Sequence, residues 1–173
     1  ITHIKGCLYG AGMMIRKSHW IALNKLGFVP LLTCRKGDTL SSGGDTEYSY
    51  VLRLLGYKMW YDERLYFKHF MPEGRLSLQY ISSIRKAMSE SNFAVSVYVD
   101  ELENRKVLQK TFFKRFLKMV RKDFMNNVKK GIFGSFEDKE VAKEYFRTLQ
   151  RLIFSYNEYY NNRETIKRWL PTK

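Results

Sequence analysis

Ser42-Gly43-Gly44-Asp45-Thr46-Glu47 opens the stretch on which the reading of this chain turns. Behind it, Tyr48, Val51, Leu52 and Leu55 follow the i, i+3, i+4, i+7 spacing of an amphipathic helix, and Gly56 supplies a stop. The paired glycines let the backbone turn tightly into that helix. They leave Asp45 in its first turn, where the positive end of the helix favours a carboxylate. Two readings stay open: Asp45 is a helix cap, or it is a carboxylate poised to take a proton. Asp45-x-Glu47 also resembles a paired-carboxylate metal site, but residues two apart do not share a helix face.

On the N-terminal side, Cys7–Ile15 is small and apolar and reads as a strand. Gly10 and Gly12 within it mark a close approach by backbone or ligand. Ser18 can cap a short helix that Gly27 ends, and Val29–Ser42 reads as loop. On the C-terminal side, Lys58–Tyr61 and Leu65–Phe70 read as two short strands around an Asp62-Glu63 turn. The alternation gives an α/β expectation for residues 1–74. His69 ends the second of these strands. It either offers an imidazole nitrogen to a divalent metal or diphosphate, or is satisfied by neighbouring backbone. His3 and His19 have no ligand-like spacing with it, and the sequence holds no Cys/His zinc pattern, phosphate loop or Ser/His/Asp arrangement.

Beyond a boundary near Pro72–Arg75 the character changes. Residues 1–74 hold nine of the eleven glycines and 10 basic against 6 acidic groups, net +4, whereas residues 75–173 hold 21 against 11, net +10. A breaker-poor basic region reads as a mostly helical extension. Leu76, Tyr80, Ile84 and Met88 recur every four residues, as do Leu108, Phe112, Phe116, Val120, Phe124 and Val128. Ser135 and Asp138 form a capping-box-like start for one last long helix, with Val141, Tyr145, Leu149, Leu152, Tyr156 and Tyr160 along one side. Phe93–Val99 fits a strand or a buried helix, and its neighbours favour helix. Asn104–Lys130 carries ten Lys or Arg against Asp123 alone, and Lys106, Lys110, Lys114, Lys118 and Lys122 recur at every fourth position. This stripe is a solvated face, an attachment to an anionic membrane surface or, least favoured, a nucleic-acid contact.

Composition bounds these readings. The 173 residues carry 31 Lys plus Arg against 17 Asp plus Glu, a net charge of +14, with 45% apolar and 16% aromatic residues. Such a chain builds a core and is not disordered throughout. Its longest apolar stretches fall well short of the roughly 20 residues that a membrane-spanning helix needs. Two cysteines, Cys7 and Cys34, make no disulfide framework, and reduced cytoplasmic thiols are the expectation. No signal peptide is visible and the first residue is Ile1, so the expectation is a piece of a longer protein.

Five pieces in one order then carry a resemblance: Gly10-Ala11-Gly12-Met13-Met14-Ile15-Arg16-Lys17, Gly27-Phe28, Gly43-Gly44-Asp45-Thr46-Glu47, Gly56-Tyr57 with Trp60-Tyr61, and Tyr66-Phe67-Lys68-His69. Over about residues 6–75 the chain resembles the C-terminal, acceptor-binding half of bacterial family 2 glycosyltransferases of the A-type fold. The resemblance implies a partial A-type α/β fold over residues 1–74, followed by the helical extension 75–173. It implies an inverting enzyme that adds a single sugar in surface-polysaccharide or glycan synthesis, with Asp45 as general base. Gly10, Ala11, Gly12, Gly44 and Glu47 would lie at the substrate, and His69 near a metal–diphosphate region. The commonest family form has Glu immediately before the base, where this chain has Gly44. The implied partners are a nucleotide-sugar donor and a glycan or lipid-linked acceptor. The implied cofactor is a divalent metal, Mg or Mn, held mainly by a preceding nucleotide-binding half. These 173 residues alone are then expected to be inactive, and the whole enzyme to be cytoplasmic or peripheral at the inner face of the cell membrane. Thr165-Ile166-Lys167-Arg168-Trp169 imitates the Gln-x-x-Arg-Trp of processive members, with Thr for Gln and about 120 residues after Asp45. The alternative is a non-catalytic basic helical module that binds anionic membrane or nucleic acid.

Overall fold

A computed structural model describes residues 6–32, 42–106 and 108–171. Its elements are α1 (Lys17–Lys25), α2 (Gly44–Leu54), a 3-10 turn (Glu73–Leu76), α3 (Leu78–Leu102), α4 (Gln109–Phe133), α5 (Phe136–Phe154) and α6 (Tyr156–Trp169). The described residues contain no strand, so the α/β expectation and the partial A-type glycosyltransferase fold are corrected to an all-α architecture. The physical reason lies in where the backbone groups of the expected strands go. A strand needs a neighbour to pair with its N–H and C=O groups. The Cys7–Ile15 stretch instead pairs with side chains of α2 and then turns back on itself, with the Met13 N–H bonding the Gly10 carbonyl at 3.3 Å. Lys58–Tyr61 and Leu65–Phe70 run as irregular chain, with Trp60, Tyr66 and Phe70 each more than four-fifths exposed. The turn between them does form: Asp62 accepts from the backbone N–H of Arg64 at 3.0 Å and from its guanidinium at 2.6 Å. His3, Cys34 and residues 33–41 of the expected loop lie outside the described residues, as do the side chains of Phe116, Lys122 and Leu152.

Two compact units make up the chain, Ile1–Arg105 with Asn161–Lys173, and Lys106–Tyr160. In the first, α1 and α2 both end as their glycines suggest. The N–H groups of Gly27 and Phe28 close on Asn24 and Leu23, and those of Gly56 and Tyr57 on Arg53 and Leu52, which is the Schellman arrangement at each helix end. Arg16 rather than Ser18 stands at the N-cap of α1, with no side-chain cap. Helix α2 packs against α3. Phe93–Val99 is helical and supplies much of the core: Val97 and Tyr98 are fully buried, as is Val51 of α2. Complete burial of each such valine stabilises the unit by roughly 1.5–3 kcal/mol. Aromatic rings add a second cluster, with Phe28 edge-on to both Tyr48 (5.6 Å) and Trp169 (5.2 Å).

In the second unit, α4 and α5 form an antiparallel pair joined through Gly134 and Ser135. Gly131 faces Ala142, and Phe124 meets Phe146 edge-on at 5.8 Å. Ser135 caps α5 as expected: its Oγ accepts from the Asp138 N–H at 3.2 Å and its hydroxyl donates to the Asp138 carboxylate at 3.0 Å. The single last helix is corrected to two. Ser155 interrupts it and opens α6, its carbonyl accepting from the Tyr159 N–H at 2.8 Å. Phe112 of α4 then packs on Tyr156 and Tyr159, at 5.4 and 5.5 Å between ring centres.

Candidate functional site

Asp45, Ser49 and Arg53 lie four residues apart on α2 and so line one face of it. The extended chain from Gly6 to Gly10 runs antiparallel along that face. The Arg53 guanidinium donates to the Gly6 carbonyl (2.8 Å), the Ser49 hydroxyl oxygen accepts from the Leu8 N–H (3.1 Å), and Asp45 Oδ2 accepts from the Gly10 N–H (2.7 Å). The match is geometric. Two residues of extended chain advance about 6.6 Å and four residues of helix about 6 Å, so alternate residues meet successive turns. Ser49 also donates to the Asp45 carbonyl at 2.9 Å, which keeps its oxygen turned toward Leu8. Ser49 and Arg53 are therefore site-building residues that the motif reading did not single out. Their four-residue spacing from Asp45 was the available signal.

Two backbone donors hold Asp45, one from the start of α2 and one from the Gly6–Gly10 segment. Oδ2 takes Gly10, while Oδ1 takes the Thr46 N–H at 2.8 Å, with the Thr46 hydroxyl farther off at 3.5 Å. A carboxylate has about four acceptor positions, so capacity remains on a side chain that is only half-buried. Gly43 precedes the helix at φ +96°, in the left-handed region, and Gly44 is the buried first residue.

Above Asp45 the chain turns through Gly10, Ala11, Gly12 and Met13, all but the last exposed. Gly12 sits at φ +82° in the third position of that turn, and a Cβ there would come within 2.9 Å of the Phe67 ring. Both the conformation and the ring require glycine. Phe67 in turn lies 6.2 Å, ring to ring, from the exposed His69. A line of neighbours thus runs from Asp45 through Gly10 and Gly12 to Phe67 and His69. Cys7, a free thiol, lies 3.9 Å from the hydroxyl of Thr46, the residue after Asp45.

Glu47, two residues beyond Asp45, points the opposite way and is completely buried. Its Oε1 accepts from the Leu31 N–H (2.6 Å) and the Tyr98 hydroxyl, and its Oε2 from the Leu32 N–H (2.9 Å). Burial raises its carboxyl above the ordinary value of 4.5, while the hydrogen bonds from Tyr98, Leu31 and Leu32 pull it back down. The Tyr98 hydroxyl is pushed up as well, by burial first and by the Glu47 charge next. The structure gives Glu47 the role of a buried tie between α2, α3 and residues 31–32. The pair Asp45-x-Glu47 does not converge.

Among the described residues, no three or more His, Cys, Asp or Glu side chains group in a way that could hold a metal ion. His69 has no such companions, so the divalent metal rests on the resemblance and no chemical step here runs through it. Among the same residues, no helix is long and apolar enough to cross a membrane. Comparison of the chain with protein-family models, curated proteins and solved structures finds no significant match.

Proposed function

We propose that this chain provides the acceptor side of an inverting, nucleotide-sugar-dependent glycosyltransferase that adds a single sugar to a glycan or lipid-linked acceptor, with Asp45 as general base. The observation that carries the reading is the Asp45 carboxylate: half-buried at the start of α2, oriented by the N–H groups of Gly10 and Thr46, and with acceptor positions to spare. The ordered resemblance over residues 6–75 supplies the reaction class. It does so through residue order and not through fold.

In the proposed step Asp45 accepts the proton of the acceptor hydroxyl as that oxygen forms its bond to the anomeric carbon. The bond from that carbon to the nucleoside diphosphate breaks on the opposite face, which inverts the centre. A carboxylate is a weak base toward an alcohol, so proton transfer runs together with bond formation and contributes about 10²–10⁴ in rate. The Gly10–Met13 turn shapes the ground beside Asp45 where the acceptor would sit. Glu47 holds the helix that carries the base and does not touch substrate.

The reading places donor binding outside these residues, so the assay uses the protein translated from the whole reading frame. Sugar transfer from nucleotide-sugar donors is measured for that protein and for its Asp45→Asn variant. Turnover should fall about 100-fold or more in the variant with donor affinity nearly unchanged. Near-normal turnover would leave Asp45 a helix cap and end the proposal.

A further inference from the structure

The second unit carries a feature that sugar transfer does not use. At 100° per residue, Lys110, Lys114, Leu117, Lys118, Arg121, Met125, Lys129 and Ile132 of α4 fall within an arc of about 120°. All eight are exposed. The arc contains five cations and no acid, and none of the five pairs with an acid among the described residues. The sole acid of α4, Asp123, lies outside the arc, toward the Phe112 and Lys130 positions. Opposite the arc, Phe112 and Asn127 are buried, so the helix already has its packing face. Leu117, Met125 and Ile132, each more than three-fifths exposed, form a second apolar row that the hairpin leaves uncovered.

The row continues into the α4–α5 turn. Phe133 is 84% exposed, and Phe136 just beyond the turn is 54% exposed. The turn is tight: a Cβ on Gly134 would collide with both the Asp138 Cβ and the Lys130 carbonyl oxygen. That tightness fixes Phe133 and Phe136 at the tip. Asp138 is engaged by Lys130 at 3.4 Å and by Ser135, which leaves Glu137 as the exposed acid of the turn, two positions before the exposed Lys139.

We propose that the exposed face of α4 and the Ile132–Phe136 tip form a docking surface for an anionic lipid bilayer. The lysines and Arg121 meet headgroups, and Leu117, Met125, Ile132 and Phe133 enter the interface. Charge selects the occupant, because an acid-free arc of five cations matches a negatively charged surface. The apolar row selects lipid over nucleic acid, since along the helix Leu117, Met125 and Ile132 offer no ring on which a base stacks and rings stand only at the tip, on Phe133 and Phe136. Long lysine stems can reach headgroups while neighbouring apolar side chains go deeper. This inference does not depend on the sugar-transfer reading.

The test uses the 173-residue chain and vesicles of phosphatidylcholine alone or mixed with phosphatidylglycerol, at about 0.15 M salt. The chain should sediment with the mixed vesicles and not with the neutral ones. The Ile132→Ser/Phe133→Ser variant and the Lys110→Gln/Lys114→Gln/Lys118→Gln variant should each bind at least about 10-fold more weakly. Against a loss of fold, Phe133→Trp provides a second readout. Its extra fluorescence should be quenched by brominated lipid only in the mixed vesicles, over a background of Trp20, Trp60 and Trp169 in the other unit. Failure of the unaltered chain to bind the mixed vesicles would overturn the proposal. So would equal binding by the Ile132→Ser/Phe133→Ser variant, an absence of quenching in the Phe133→Trp variant, or displacement of the chain from vesicles by duplex or single-stranded DNA at the same salt.

Discussion

Tyr98 of α3 donates its phenolic hydrogen to Glu47 of α2, and the same buried carboxylate takes the backbone N–H groups of Leu31 and Leu32. One side chain therefore joins two helices and the chain ahead of them. Asp45 stands on the same helix two residues earlier, half-buried and turned to the other side. The division of labour follows from helical spacing, because residues two apart diverge by most of a half-turn. Any force that disturbs Glu47 therefore reaches Asp45 through the helix they share.

Stability should depend on pH through Glu47. Burial holds its carboxyl above 4.5 in the folded chain, so folding favours the protonated form. The contribution is complete below about pH 4.5 and is lost as pH rises through the raised folded value. Urea unfolding of the unaltered chain and of Glu47→Gln, compared across this window, isolates the group from others that titrate nearby. The stability of the unaltered chain relative to the variant should decline as pH rises. Parallel curves would show that Glu47 does not titrate differently on folding.

Removing the carboxylate altogether should cost more than removing one of its donors. Glu47→Ala leaves the Leu31 and Leu32 N–H groups and the Tyr98 hydroxyl without their acceptor, and should destabilise by about 3 kcal/mol or more. Tyr98→Phe leaves the carboxylate both backbone donors and should cost about 1–2 kcal/mol. Urea midpoints at constant pH give the order, and a reversal would mean that Tyr98 rather than Glu47 organises the tie.

Much of the local structure was legible in the sequence. Gly27 and Gly56 stop their helices where their positions indicate, Ser135 caps α5 at the Asp138 N–H, and Phe93–Val99 is helical. The strands were not, because alternation and apolar content describe a side-chain pattern and not a backbone partner. Gly6–Gly10 has its partner in the polar face of α2, a pairing over 35 to 47 positions that no window on Cys7–Ile15 contains. At the candidate site, Asp45 and the Gly10–Gly12 stretch each stood out in the sequence, but the hydrogen bond that joins Asp45 to Gly10 across 35 positions did not. The burial of Glu47 could not, since its partner Tyr98 lies 51 positions away. The break at Ser155 was hidden because Tyr156 and Tyr160 keep the four-residue apolar spacing straight across it.

Hydrogen exchange should report the clasp between Gly6–Gly10 and α2. Ser49→Ala removes the acceptor of the Leu8 N–H, and Arg53→Ala removes the donor to the Gly6 carbonyl. Each should speed exchange at the Leu8 amide, with Ser49→Ala the stronger, by about 5-fold or more for a lost bond of roughly 1 kcal/mol. The Gly10 amide, held by Asp45, should respond less. Unchanged Leu8 exchange in Ser49→Ala would place its protection elsewhere.

The entry to α2 should tolerate no side chain at Gly43. That residue holds φ +96°, and a Cβ there would lie 3.0 Å from the Ser91 Cβ and 3.1 Å from Leu32 Cδ1. Ser91 is itself buried on α3, with its hydroxyl against the Ser42 carbonyl, so neither the backbone nor the neighbours can give way cheaply. Gly43→Ala combines left-handed strain with crowding and should cost at least about 2 kcal/mol. The cost should not stop at stability. A displaced start of α2 moves Asp45 relative to Gly10, so the Gly10 amide resonance should shift in the same variant, whereas those of the α4–α5 pair should stay in place. A Gly43→Ala chain with unaltered stability and an unmoved Gly10 resonance would show that the helix start is not what positions Asp45.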